Sequence, residues 1–153
     1  VKKLSERYDI CCLLTGPSRG YIISELEKYN IDYVYYQATK TQLCEMYSCL
    51  DIYLITSRIE GGPKGLMEAM ATGIPVVSTK VGMANDIIQN RKNGMINNVG
   101  DIEGLVSSVD NLLQDSYLKE NIIINALDNV QEYSWNKIIK KYYNIYKEIG
   151  LNS

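Results

Sequence analysis

Five short apolar runs alternate with longer amphipathic stretches along this chain, and that rhythm restricts the fold more than any other feature. Residues 9–14 are apolar after the first, which predicts a strand buried on both faces, ending at Thr15-Gly16-Pro17. Residues 18–29 carry Ile22, Ile23 and Leu26 as a helical stripe. Residues 33–36 read as a second strand, and Thr39 or Thr41 can cap a helix running to about Leu50. A third strand covers residues 51–56. A loop rich in Gly and Pro follows, then a short helix to about Thr72. Gly73 stops that helix, and Pro75 opens a strand over residues 76–78. A helix over residues 84–89 and an Asn93-Gly94 turn lead to a last strand at residues 95–97.

Three helices close the chain. Ile102, Leu105, Val106, Val109, Leu112 and Leu113 follow helical spacing, and Leu118, Ile122, Ala126 and Leu127 form the next stripe. Ser134 can cap the final helix, with Trp135, Ile138, Ile139, Tyr142, Tyr146 and Ile149 on one side. Strand and helix in this order predict one α/β domain over residues 1–153, a Rossmann-like parallel sheet with helices on both faces and a helical C-terminal segment. Ligands in such sheets bind beyond the carboxyl ends of the strands. The search for function therefore narrows to the loops after Leu14, Tyr36, Thr56, Ser78 and Asn97.

Composition excludes several classes. A formal net charge of −2 gives no global attraction to nucleic acid or anionic lipid, so any phosphate site must be local. No apolar run approaches the ~20 residues of a membrane span. Residues 1–7 have no signal-peptide pattern. A start without Met, soon followed by a strand, is expected of a piece of a longer chain. Histidine is absent, which excludes Ser-His-Asp or Cys-His machinery within this chain and argues against structural zinc. Cys11 and Cys12 point to opposite faces of a strand, and Cys44 and Cys49 to different faces of a helix. All four are expected to be reduced, buried, inert thiols of a cytoplasmic protein.

The loop after the third strand carries the chemistry. Glu60 lies at that strand's carboxyl end, and Gly61-Gly62 allows close backbone approach and positive φ. Pro63 suits the first helical position, and the N–H groups near Lys64, Gly65 and Leu66 then point from a positive helix end toward an anion. Lys64 adds a cation. Glu68 stands one turn into the helix among small and apolar neighbours, where its carboxylate needs partners that paired ribose hydroxyls can supply. Singly, Glu60 reads equally as a solvated loop acid and Glu68 as a helix-start acid. The two acids could also suggest a glycosidase pair, but the Gly-Pro helix start favours phosphate. No Asp-x-Asp is present, and Asp101-Ile102-Glu103 reads as a helix cap, so no metal is expected.

The stretch from Glu60 to Val77 resembles the signature of the retaining family 4 glycosyltransferases of GT-B fold: Glu, seven residues, Glu, then Ala-Met-Ala-x-Gly-x-Pro-Val-Val. The likeness continues through Thr79-Lys80-Val81-Gly82, Asn93-Gly94-Met95-Ile96 and Ser134-Trp135. It implies that the chain is the C-terminal, donor-binding half of a GT-B enzyme whose N-terminal acceptor domain is missing. Glu60 would contact the donor sugar as the catalytic-site acid. Gly61, Gly62, Pro63 and Lys64 would line sugar and diphosphate, Gly65 and Leu66 would present N–H groups to phosphate, and Glu68 would bind the ribose. Tyr36 and Gln37 would touch the base, with Gly16 beneath the same pocket.

The resemblance further implies transfer of a glycosyl group from a nucleoside diphosphate sugar with retention, by front-face departure and attack. The leaving phosphate then takes the acceptor's proton, and no cofactor is required. By analogy alone the whole enzyme would serve polysaccharide synthesis, with peripheral association at the inner membrane face. The pattern departs from many relatives at Gly62-Pro63-Lys64, where an aromatic residue and Gly are common. It departs again at Gly82-Met83-Ala84-Asn85-Asp86, where Gly-Gly-x-x-Glu is common. The family's basic pair begins upstream of Val1, leaving Lys64 and Arg19 as nearby cations, and Arg19 reads better as a solvated residue. A non-catalytic nucleotide or nucleotide-sugar binding module remains the alternative. A decayed interaction domain would not be expected to keep Glu60, Gly62 and Glu68. Tyr142, Tyr143 and Tyr146 of the last helix are either core or residues of an interface with the absent domain.

Overall fold

A computed structural model describes residues 1–17, 20–62 and 64–150. After a one-turn helix α1 (Lys2–Ser5), the chain runs β1 (Cys11–Thr15), α2 (Gly20–Lys28), β2 (Asp32–Tyr36), α3 (Lys40–Ser48), β3 (Tyr53–Ile55) and α4 (Lys64–Ala71). It continues through β4 (Val76–Thr79), α5 (Ala84–Ile87), β5 (Met95–Asn97), α6 (Ile102–Gln114), α7 (Ser116–Val130), a 3-10 turn (Gln131–Tyr133) and α8 (Trp135–Glu148). Every strand pairing is parallel. Among the described residues the strands form two sheets, β1-β2 and β3-β4-β5, rather than one continuous sheet.

The central strand β4 is buried along its whole length because both of its faces are covered. Val76 packs with Ile55, Leu66, Ala69 and Met70 on one face, while Val77 packs with Met95, Val109, Leu112 and Ile122 on the other. This is the period of two that turns successive side chains to opposite faces. The β1-β2 sheet is less enclosed. Cys11 and Thr15 are exposed and the residues between them half-buried, so β1 is not the doubly buried strand its composition predicts.

Local chemistry sets the helix ends. Thr39, not Thr41, caps α3 in a reciprocal box with Gln42. Gly73 stops α4 at φ +74°. The helix expected over residues 84–89 is a single turn. The Asn93 side chain ends it, accepting from Gln89 N at 2.7 Å and donating to the Ile87 carbonyl at 3.0 Å. Asp101 caps α6, as its position suggests, by accepting from Gly104 N at 2.8 Å. Ser134 occupies the N-cap position of α8, but its hydroxyl makes no capping bond.

Two expectations about burial fail. Cys11, Cys44 and Cys49 are exposed and Cys12 is half-buried, all four as free thiols. In α3 the buried face belongs to Leu43 and Tyr47, which leaves Cys44 and Cys49 outside. Ile102 and Leu113 of α6 and Leu127 of α7 are likewise exposed despite their spacing.

The last helix has no buried residue, and Trp135, Ile139, Tyr142, Tyr143 and Tyr146 all stand exposed, so its aromatics are not core. An apolar face of this extent favours association. Sedimentation velocity should show the average mass rising with concentration, and Ile139→Glu with Tyr142→Glu should hold the chain monomeric. A monomer at every concentration for the unaltered chain would refute this. Among the described residues no helix is long and apolar enough to cross a membrane.

Candidate functional site

The loop leaving β3 is pinned to the end of β4. Thr79 Oγ1 donates to the Ser57 carbonyl at 2.7 Å, and Ser57 Oγ donates to Glu60 Oε1 at 2.8 Å. The backbone of Glu60 and Gly61 then rests on Gly82. A Cβ at Gly82 would lie 2.3 Å from the Gly61 carbonyl oxygen and 2.4 Å from that of Glu60. Met83 N donates to the Gly61 carbonyl at 3.3 Å. Positive φ is required at Gly82, at +45°, and not at Gly61 or Gly62. A Cβ at Gly62 would lie 2.8 Å from Met83 Sδ, a flexible side-chain atom that can move aside.

Lys64 opens α4 and is exposed. Pro63 lies outside the described residues, as does Arg19. Leu66 is fully buried and anchors the helix. The first-turn N–H groups at Lys64, Gly65 and Leu66 have no intrahelical acceptor, and a helix start of this kind is able to receive an anion.

Glu68 is exposed on α4, and its partner comes from α3: the Tyr47 hydroxyl donates to Glu68 Oε2 at 2.9 Å. Tyr47 is itself a core residue, only 6% exposed, with its ring 5.5 Å from that of Tyr53. Both phenols hold their protons. Burial first, then Tyr53 and Glu68, push the Tyr47 hydroxyl far above its ordinary range. Burial pushes Tyr53 up against an opposing hydrogen-bond effect from Tyr47, with the charges of Glu68 and Glu60 adding to the rise. Gly65 makes room for the pair, because a Cβ there would lie 2.1 Å from Tyr53 Oη and 3.1 Å from Tyr47 Oη.

A third element completes the edge. Gly16 turns the chain after β1 at φ +89°, and its carbonyl accepts from Tyr35 Oη at 2.8 Å. Gln37 Nε2 donates to the same Tyr35 hydroxyl at 3.2 Å. Around them lies an open hollow of about 580 Å³ lined by Thr15, Gly16, Pro17, Gln37, Ala38 and Leu43. Tyr36 does not line it. As the next residue along β2 it points elsewhere, its hydroxyl accepting from Gln42 Nε2 at 2.9 Å. Leu43 and Tyr47 are four residues apart on α3, so one helical turn separates the hollow from Glu68.

The structure thus brings Gly16 and Gln37 to one hollow. It sets Glu60 and Glu68 on either side of the start of α4. An apolar hollow with amide groups suits a flat heterocycle, a carboxylate beside it suits a diol, and a helix start suits phosphate. Tyr47, Tyr53 and Ser57 belong to this framework although nothing in their local spacing marks them, and Gly82, which the family likeness reaches, joins them.

The chain matches the family model described as "Glycosyl transferases group 1" over residues 1–128. It is 30% identical over 136 residues to the N-acetyl-alpha-D-glucosaminyl L-malate synthase of Bacillus anthracis, covering 88% of this chain and 36% of that enzyme. The crystal structure of the C-terminal domain of a glycosyl transferase group 1 family protein (LpcC) from Francisella tularensis superposes with a TM-score of 0.67 at 26% identity. That match covers 76% of this chain and 62% of that one. Anabaena HepE in complex with UDP gives 0.77 at 20% identity, covering 91% and 41%. Parallel strands with helices on both faces are shared with these proteins, the architecture of one half of a GT-B fold.

Proposed function

The chain belongs to the glycosyl transferases group 1 family, and from that premise we propose that it is the donor-binding half of a retaining enzyme of family 4. That enzyme transfers a glycosyl group from a nucleoside diphosphate sugar to an acceptor. The observation that carries this reading is the order of groups along one edge: hollow, Glu68, helix start, Glu60. That order matches base, ribose, diphosphate and sugar. The base enters the hollow against Gly16 and Gln37. Glu68 accepts from the ribose hydroxyls. Gly61, Gly62, Lys64, Gly65 and Leu66 receive the diphosphate largely through backbone, and Pro63 is assigned there from sequence alone. Glu60 meets the sugar.

Catalysis on this reading is positioning plus stabilisation of charge on the leaving diphosphate by preorganised N–H groups. The leaving phosphate takes the acceptor's proton, so no protein base is obligatory. The 36% share of the Bacillus relative's length supports a partner domain in the whole enzyme, as does the similarity to a domain described as C-terminal. The exposed apolar face of α8 is the kind of surface such a domain would cover. The whole enzyme is proposed to act in the cytoplasm, on a lipid-linked or polysaccharide acceptor.

Calorimetric titration of the chain with UDP, GDP, ADP and TDP tests the binding half. Weak binding of UDP or GDP without sugar transfer is expected. No binding by any of them at millimolar concentration, with the fold intact, would refute it. Binding by the chain together with a full-length enzyme that neither transfers nor hydrolyses any donor sugar would favour a non-catalytic binding module.

A further inference from the structure

Glu68 is an exposed carboxylate, and exposed glutamates sample several rotamers unless something holds them. Among the described residues the side chain that engages it is Tyr47, donating to Oε2 at 2.9 Å, and no donor engages Oε1. Lys64 lies four residues earlier on the same helix but forms no ion pair with it among the described residues. Tyr47 is a fixed post. Its ring is buried in the core against Tyr53, and its hydroxyl keeps its proton across the neutral range. The absence of a Cβ at Gly65 lets both phenol oxygens close on the first turn of α4. A carboxylate oxygen has two lone-pair sites, so Oε2 can accept from Tyr47 and from a ligand hydroxyl together.

We propose that Tyr47 is a positioning residue of the donor site: its hydroxyl fixes the Glu68 carboxylate in the orientation that accepts both hydroxyls of a ribose, and so sets the preference for ribonucleotide over deoxyribonucleotide. This rests on the ribose role assigned to Glu68. Tyr47 touches no donor atom. It acts by keeping Glu68 from relaxing into solvent, where a single hydroxyl would be bound as well as a pair.

The test compares UDP with 2′-deoxy-UDP by calorimetry on the chain itself, on Tyr47→Phe and on Glu68→Ala. Tyr47→Phe keeps the ring against Tyr53 and removes only the hydroxyl, with its contacts to Glu68 and to the Tyr53 hydroxyl. The unaltered chain should prefer UDP by about tenfold, the scale of one charge-assisted hydrogen bond. Tyr47→Phe should lose most of that preference while its affinity for 2′-deoxy-UDP stays within about twofold. Tyr133→Phe, at the margin of the same core, should keep the preference, which separates loss of this bond from loss of any phenol. A preference that Glu68→Ala abolishes and Tyr47→Phe retains would overturn the role of Tyr47 and spare that of Glu68. No preference in the unaltered chain would overturn both. Thermal melts of each variant establish that the folded state is being compared.

Discussion

Glu68→Ala is expected to remove most of the nucleotide affinity of this chain while leaving its fold in place. The side chain is exposed and touches the core through the Tyr47 hydroxyl, so its loss creates no enclosed cavity. Each hydrogen bond from a ribose hydroxyl to a carboxylate is worth about 1.5–3 kcal/mol. Two such bonds imply a loss of about 10²-fold or more in affinity. The cost to stability comes through Tyr47, whose buried hydroxyl loses its acceptor, at about 1–2 kcal/mol. Calorimetry with UDP and a thermal melt read the two effects separately. Glu68→Gln refines the result, since an amide oxygen can still accept from Tyr47 but carries no charge. It should melt close to the unaltered chain and still bind nucleotide weakly. Unchanged affinity in Glu68→Ala would remove the ribose role.

The partner of Glu68 marks where sequence reading stops. Glu60 and Glu68 are legible because a strand–loop–helix pattern locates the edge where ligands of such sheets would bind, and the two acids stand out there, whereas Gly16 and Gln37 come from the family resemblance alone. Tyr47 is not legible, because four residues from Leu43 it fits a core stripe. It is indeed core, and its hydroxyl alone leaves that role. Only the packing of α3 against α4 connects it to Glu68. The cysteines fail for the opposite reason: an average preference for burial says nothing about which face of α3 meets the core. The stripe of α8 leaves its role open because its pattern requires an apolar partner without saying whether that partner lies within the 153 residues. The alternation that specifies the strands is robust where helices cover both faces, as at β4. It overstates burial at β1, whose ends are open.

Gly82→Ala should be the most damaging single-methyl change at the site. The residue sits at φ +45°, where an L side chain is strained by about 1–2 kcal/mol. The added carbon would also lie 2.3 and 2.4 Å from the carbonyl oxygens of Gly61 and Glu60. Those are backbone atoms and cannot rotate aside, so the loop must lift. Lifting it stretches the bond from Met83 N to the Gly61 carbonyl and draws Glu60 away from Ser57. Strain and overpacking together should cost about 2–4 kcal/mol, a fall of about 5–15 °C in Tm for a domain of this size. On the proposed function, donor transfer by the whole enzyme should fall with it, because Glu60 leaves the place proposed for it beside the sugar. Gly61→Ala is the control: a Cβ there meets nothing within 4 Å and φ is ordinary, so its melt should stay near that of the unaltered chain. The contrast runs against the sequence, in which the Gly-Gly pair looks like the position that must be flexible. A Gly82→Ala chain that melts and binds nucleotide like the unaltered one would show that the Glu60 loop is held by something other than its seat on Gly82.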